Sequence, residues 1–390
     1  MATPSPKSPP WAICPRRSSR TPAARAPRSP SRVLNHPGQK CPSEEKDAYD
    51  EGGRVGRIPG WSASGPHDRR DTREERAMVF WLTQAASWLA GKVPRRLRLA
   101  LAGPLTTLVY YAWASKRRVT IANMARILGT TPSDPRARRL ARDSWRNYGR
   151  YLSDFFYLPN STSAEVLARM RDVSGEPGAF GRIDEALARG KGLIIVTAHF
   201  GAFDVAGVMV AARTPLAVIA DTFTDPRLDE LIQGQRAQFG LTVIRAEKSP
   251  RPILRALKDN QAVAILADRP LPPGQGMPVT FFGARCYVPG GVAQLAQLSG
   301  AVVAAGFAYY DEQFSETYYG VLGEPIIPEP TGDREADISA LTQRIYSELE
   351  RVIRERPDQW YMFRPFWPAE ESQAASAAIP EPARQAVEHG

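Results

Sequence analysis

A chain of 390 residues, 43% of them hydrophobic, can bury a sizeable core, which excludes a wholly disordered protein. Its three cysteines, Cys14, Cys41 and Cys286, are too few and scattered for a disulfide framework or a C-x-x-C metal site, and they fit a reducing, intracellular setting. The net charge of +10 is unevenly placed: residues 1–77 carry 15 Lys+Arg against 9 Asp+Glu, residues 78–150 carry 14 against 2, and residues 151–390 carry 22 against 30. So concentrated a basic block implies an anionic partner: a phospholipid surface, nucleic acid or an acidic carrier protein.

Residues 1–77 hold 12 of the 35 prolines and 9 serines with no apolar period, so they read as a disordered head. They contain no apolar run long enough for a signal peptide. Met78 opens the first segment patterned like folded protein, and translation starting there is one expectation; a genuine disordered tail is the other. Residues 78–160 read as a basic, membrane-associating helical region. Val79–Ala90 is apolar and aromatic, then comes a clip of Lys92, Arg95, Arg96 and Arg98. A second apolar run, Leu99–Ala114, precedes Lys116, Arg117 and Arg118. Neither run reaches the roughly 20 residues of a perpendicular span. With Trp81, Trp88, Tyr110, Tyr111 and Trp113 near the run ends, the pattern fits anchoring on an anionic leaflet; a buried hairpin with a solvated basic face is the alternative. Arg136–Tyr157 continues as a helix with an apolar stripe of core type, ended by Pro159-Asn160.

Beyond residue 160 strands and helices alternate. Strands are expected at Gly192–Thr197, Leu216–Ala220, Leu241–Arg245, Ala262–Leu266, Val302–Tyr309 and Thr317–Leu322. Helices are expected near Gly201–Ala212 and over Pro226–Phe239, Arg251–Asp259, Gly291–Ser299 and Ala336–Arg354. Wholly apolar strands separated by helices define an α/β fold, a mostly parallel sheet flanked by helices. The catalytic domain is placed at 161–367 and a disordered tail at 368–390.

Of four histidines, His36 and His67 fall in the head and His389 is penultimate, so His199 is the imidazole of the folded part. It ends a strand and precedes a helix, where open α/β sheets hold their ligands. Asp204 follows five positions later. A near-neutral imidazole can take a proton from an alcohol if its Nδ1–H is held by a fixed carboxylate, and Asp204 is read as that carboxylate. Gly201 between them permits a tight turn and leaves room for a substrate. A core histidine with a helix-capping Asp is the bland reading of the same spacing. No G-x-S-x-G elbow, H-E-x-x-H pair, Walker loop or dinucleotide fingerprint is present. A base with no protein nucleophile suits direct attack by a substrate hydroxyl on an activated acyl group. Ala267-Asp268-Arg269-Pro270 ends another apolar strand on the same edge if the sheet is parallel. There Arg269 is a candidate phosphate or acceptor contact with Asp268 shaping the site, against a surface ion pair. Arg236 is either a further phosphate contact or a solvated helical arginine. The aromatic run Gln359–Trp367 around Arg364 packs over the site, meets the membrane or fills core.

These residues resemble the bacterial lipid A biosynthesis acyltransferase family (lauroyl/myristoyl type), related to phosphatidylinositol mannoside acyltransferases within the lysophospholipid acyltransferase group. The resemblance runs from about Phe80 to Trp367. It rests on Val196–Asp204, the strand-end Asp268, Val279–Gly283 with Pro289-Gly290-Gly291, Pro357–Trp360 with Arg364, and the segment around Asn123. It implies His199 as general base with Asp204 as its partner. Gly201, Arg236, Asp268, Arg269, Phe282, Gly283 and Arg364 become substrate-contact candidates. No cofactor is implied, since acyl-carrier protein or coenzyme A thioester serves as co-substrate. The acceptor is a membrane glycolipid at the cytoplasmic face of the inner membrane. Arg269 stands where the family often has Gln, and the glycerol-phosphate acyltransferase signature F-P-E-G-T-R is absent, which argues against simple lysophosphatidate acylation. The rivals are acylation of a mannosyl-phosphoinositide or other glycolipid, and non-catalytic binding of membrane or nucleic acid. Apolar runs interleave the basic block, so no nucleic acid is expected.

Overall fold

The computed structural model describes residues 73–245, 250–311 and 316–368. The expected head and tail lie almost wholly outside the described residues, as do Cys14, Cys41, His36, His67 and His389. Nine strands are described: β1 (Met170–Asp172), β2 (Leu193–Thr197), β3 (Leu216–Ala220), β4 (Leu241–Arg245), β5 (Ala262–Leu266), β6 (Met277–Phe281), β7 (Ala284–Val288), β8 (Val302–Tyr310) and β9 (Tyr318–Leu322). Seven form one sheet in the order β1-β9-β8-β2-β5-β3-β4; β6 and β7 form a separate hairpin.

The five consecutive strands β8-β2-β5-β3-β4 run parallel, whereas β9 lies antiparallel to β8 and parallel to β1. Their side chains alternate between two buried layers. Ile194, Val196 and Val263 face one core with Phe281, Tyr346 and Trp360, while Leu193, Ile195 and Ala304 face the other with Val208 and Leu216. Both faces being covered is why these strands are apolar throughout rather than alternating.

The helices are α1 (Arg73–Lys92), α2 (Arg95–Ala112), α3 (Ala114–Ile127), α4 (Pro135–Tyr157), α5 (Ser163–Ala168), α6 (Gly178–Ala188), α7 (Phe203–Ala211), α8 (Pro226–Gln238), α9 (Arg251–Lys258), α10 (Gly291–Ser299) and α11 (Arg334–Glu355). Their starts carry ordinary physical signals. Asp134 caps α4 and Asp225 caps α8, each followed by a proline at the first helical position, and Asp333 caps α11. Helix α1 begins at Arg73, ahead of Met78.

Helices α2 and α4 run antiparallel in close contact. Arg95 bonds Asp154 at 3.1 Å, and a Cβ on Gly149 would sit 2.5 Å from Thr106 Oγ1 and 2.6 Å from the Ala102 carbonyl. On the opposite face of α2, Leu97, Leu101, Leu105, Leu108 and Tyr111 are exposed. After α11 a strap, residues 357–367, crosses beside the strand ends and is pinned by α3 and α4. Asn123 donates from Nδ2 to the carbonyls of Met362 and Arg364, both at 2.9 Å, and Ser144 donates to that of Trp360 at 3.0 Å.

Candidate active site

The C-terminal edge of the parallel strands brings the singled-out residues together through register. Thr197 on β2 lies opposite Leu266 on β5, so His199 and Asp268, each two positions further on, arrive level. Asp268 Oδ2 accepts the His199 backbone N–H at 2.9 Å, and Oδ1 lies 2.8 Å from His199 Nδ1. The Trp360 indole N–H, delivered by the strap, donates to Oδ2 at 2.9 Å. Asp268 is thus 1% exposed yet fully engaged, while the imidazole side chain keeps 42% of its surface open. An Nδ1–H given to Asp268 leaves Nε2 unprotonated.

The electrostatics match the geometry. Burial opposes charge on the imidazole, but the Asp268 carboxylate and its hydrogen bond outweigh that and raise His199 above its ordinary value; Arg269 and Arg364 are close enough to oppose the rise. Burial likewise disfavours the Asp268 anion, yet His199 and Trp360 together hold its carboxyl below the usual range.

Asp204 does not play the orienting part expected of it. Its Oδ2 accepts from the Tyr151 hydroxyl at 2.8 Å, and its Oδ1 accepts from Arg236 at 3.3 and 3.4 Å. The reason lies in the turn. Gly201 adopts φ +56° and packs so closely that a Cβ would stand 2.2 Å from the Ala308 carbonyl. Helix α7 then starts at Phe203 and carries Asp204 toward α4 and α8 instead of back to the ring. The link to His199 is indirect: Tyr151 stacks on Phe203 at 4.7 Å, and the Phe203 ring meets the imidazole edge-on at 5.5 Å. Arg236 is therefore the ion-pair partner of Asp204, not a solvated arginine.

The other candidates separate into two groups. Arg269 pairs with Asp221 and, with the exposed Arg364, supplies positive charge beside the imidazole. Phe282 and Gly283 are instead the tip of the β6–β7 hairpin, with φ +51° and +71° as a two-residue turn of this type requires. Phe282 is buried against Trp360 and Trp367, 6.4 and 6.2 Å between ring centroids, so it packs behind the indole that bonds Asp268. Gly283 opens onto a surface shared with Gln343 and Glu350.

Between α7 and the sheet runs an apolar slot of about 70 Å³, lined by Ile195, Phe203, Met209, Leu216, Ile265 and Phe307 among others. Thr197, Asp204 and Arg236 are its polar lining, and the buried Thr197 hydroxyl has no hydrogen-bond partner. Sequence reasoning missed Tyr151, which looks like core in an apolar stripe, and left the run that contains Trp360 open between the site, the membrane and the core. The cross-strand partnership of His199 and Asp268 is invisible until strand order is known.

A basic imidazole seated on a buried carboxylate thus lies at the strand ends of an α/β fold, with an apolar slot close by. Residues 66–368 match the family described as bacterial lipid A biosynthesis acyltransferase, and the chain belongs to that family. It is an acyltransferase. Over 265 residues it is 27% identical to a phosphatidylinositol mannoside acyltransferase of Mycobacterium tuberculosis (strain CDC 1551 / Oshkosh), covering 66% of this chain and 79% of the relative. The protein of the same description from Mycolicibacterium smegmatis is 27% identical over 262 residues, 66% of this chain and 81% of the relative. A lipid A biosynthesis acyltransferase of Haemophilus influenzae is 25% identical over 179 residues, 46% of this chain and 54% of the relative.

Proposed function

We propose that the protein moves a fatty acyl group from a carrier-protein or coenzyme A thioester onto a hydroxyl of a membrane glycolipid, with His199 as general base and Asp268 as its orienting carboxylate. The observation that carries this reading is the 2.8 Å contact between His199 Nδ1 and Asp268 Oδ1, on an imidazole that keeps 42% of its side-chain surface open. The acceptor hydroxyl attacks the thioester carbonyl carbon while Nε2 takes its proton. The tetrahedral intermediate then expels sulfur, and the imidazolium returns the proton to the leaving thiolate. Asp268 stays ionised and stabilises the transient imidazolium. The apolar slot, about 70 Å³, receives the first few methylenes of the acyl chain, each contributing about 0.8 kcal/mol when buried. Arg269 and Arg364 face the phosphate or other anionic parts of donor or acceptor.

Two further features support a lipid setting. Thirteen of the eighteen exposed large hydrophobic side chains among the described residues fall between Met78 and Trp113, a concentration of exposed apolar surface of the kind that marks an interaction surface. Lys92, Arg96 and Arg118 are exposed within or beside it. No described helix is long and apolar enough to cross a membrane. We read α1 and α2 as lying in the interface of an anionic leaflet, on the cytoplasmic face of the inner membrane where acyl thioesters are made available. Among glycolipid acceptors, a mannosyl-phosphoinositide is favoured by the longer matches to relatives of that description, and a lipid A precursor is the second reading.

The test is transfer of a labelled acyl group from acyl-carrier protein and from coenzyme A thioesters to host glycolipids by the purified protein. The expected result is an acylated glycolipid with wild type and a loss of about 10⁴-fold or more with His199→Ala. Near wild-type transfer by a folded His199→Ala protein would refute the assignment.

A further inference from the structure

A second cavity, of about 270 Å³, lies between α2, α4 and the start of the strap. Its volume approaches the roughly 300 Å³ lower bound of small-molecule sites. Leu99 and Gly103 of α2 form one wall, Asp143, Arg146, Asn147 and Arg150 of α4 a second, and Tyr310, Asp311, Arg356, Asp358 and Gln359 close the rest. The lining is chiefly polar and evenly mixed in charge. Arg356 bonds Asp311 at 2.8 Å, Arg146 lies 3.8 Å from Asp143, Asn147 donates to Asp358 at 2.6 Å, and the Arg150 guanidinium sits 3.9 Å above the Tyr310 ring. The buried Tyr310 hydroxyl has no hydrogen-bond partner, a state that buried groups rarely keep without an unseen ligand or water, and Asp143 Oδ1 has only long ion-pair contacts, to Arg142 at 3.6 Å and Arg146 at 3.8 Å.

The chemistry of the wall selects its occupant. With each arginine set against a carboxylate or an aromatic ring, a bare dianion would meet repulsion as well as attraction. A ring bearing several hydroxyls can donate to Asp143 and Asp358 and accept from Arg146 at once. The cavity also adjoins the helix whose outer face carries Leu97, Leu101, Leu105 and Leu108, the height at which a lipid headgroup would lie if that face meets a bilayer.

We infer that this cavity is a binding site for a polyhydroxylated ring, a sugar or cyclitol of a glycolipid headgroup. The inference rests on the glycolipid-acceptor reading above and extends it to residues of α2, α4 and the strap. It also couples recognition to chemistry. Asp358 and Gln359 touch the cavity, while the next two residues, Trp360 and Tyr361, donate to Asp268 and to the His199 carbonyl, at 2.9 and 2.8 Å. A ring bound against Asp358 and Gln359 therefore steadies the segment that holds the His199–Asp268 pair.

Gly103 supplies a clean test. A Cβ there meets only Arg146 Nε, at 3.9 Å, so Gly103→Phe projects a ring toward the cavity while removing a glycine from a helix. Saturation-transfer NMR on the full-length protein would use methyl α-mannoside and myo-inositol 1-phosphate as probes, with thermal melting and acceptor kinetics alongside. The expected result is binding of at least one probe to wild type, weakened roughly tenfold or more by Gly103→Phe and by Arg146→Ala, with melting temperatures kept. Acceptor KM should rise by a similar factor, more than kcat falls. If neither probe binds wild type, or both variants bind as wild type does, the site is refuted. Failure of acyl transfer by wild type would overturn the proposed function instead, since probe binding is read without any acyl donor. Preference for the mannoside points to the glycan as the occupant and preference for the phosphoinositol to the cyclitol; each upholds the site.

Discussion

The end of β5 and the start of α7 each present a carboxylate near His199, and they do different things. Asp204 is five residues from the histidine along the chain but faces Tyr151 and Arg236; Asp268 is remote in the chain but level with the imidazole across two parallel strands. A carboxylate on the strand edge is buried, rigid and aimed by register. One on the first turn of a helix goes where the helix axis takes it, and here Gly201 turns that axis away. Proximity in sequence is a weak guide to which acid serves a histidine, and strand pairing is a strong one.

The comparison can be broken at several points. The largest structural effect is expected at Gly201, the residue that separates the two carboxylates. Gly201→Ala places a methyl against the Ala308 carbonyl in a left-handed backbone conformation, and a loss on the order of 3 kcal/mol of stability should appear in denaturant unfolding. Next comes the pH dependence. The base must be neutral and its value is raised, so kcat/KM should climb through an apparent pKa above 6.5, the group's ordinary value. The Asp268 carboxyl is held below its ordinary range, so its contribution to stability is present above that range and fades only as pH falls through its lowered value. A limb below 6.5 would show that Asp268 is not the dominant neighbour. A smaller effect belongs to Trp360→Phe, which removes the indole donor at 2.9 Å but keeps an aromatic ring. About a tenfold fall in kcat with KM little changed is expected, and a fall confined to KM would place the indole on substrate instead. Least affected by soluble assays, yet open to a vesicle sedimentation test, is the outer face of α2. Replacing Leu101, Leu105 and Leu108 by Gln should weaken binding to anionic vesicles severalfold while kcat on detergent-dispersed acceptor is kept; unchanged vesicle binding would remove that face from the interface.

Much of the fold was legible because burial on both faces leaves a plain mark. Leu216–Ala220, Leu241–Arg245 and Ala262–Leu266 are strands with the bounds that their apolar runs indicate, and Pro226 and Gly240 flank α8 as expected. The elements that escaped lack that mark. The strand Met170–Asp172 is short and exposed, and the β6–β7 hairpin alternates polar with apolar residues and contains Pro278. The antiparallel placement of β9 has no signature in composition at all. At the site, His199 was legible from its position after an apolar strand, and the shared edge of Asp268 and Arg269 followed from a parallel sheet. The partner of His199 was not, because it depends on β5 lying next to β2, which no local spacing encodes. The same holds for Phe282 and Gly283, whose motif belongs to a turn that props Trp360 from behind.

The most direct test sets Asp268→Asn beside Asp204→Asn in one acyl-transfer assay across pH. The account predicts that Asp268→Asn lowers kcat by about 10³-fold or more and shifts the ascending limb of kcat/KM to lower pH. Asp204→Asn should leave the limb in place and cost far less. A limb that moves with Asp204 and stays with Asp268 would contradict it.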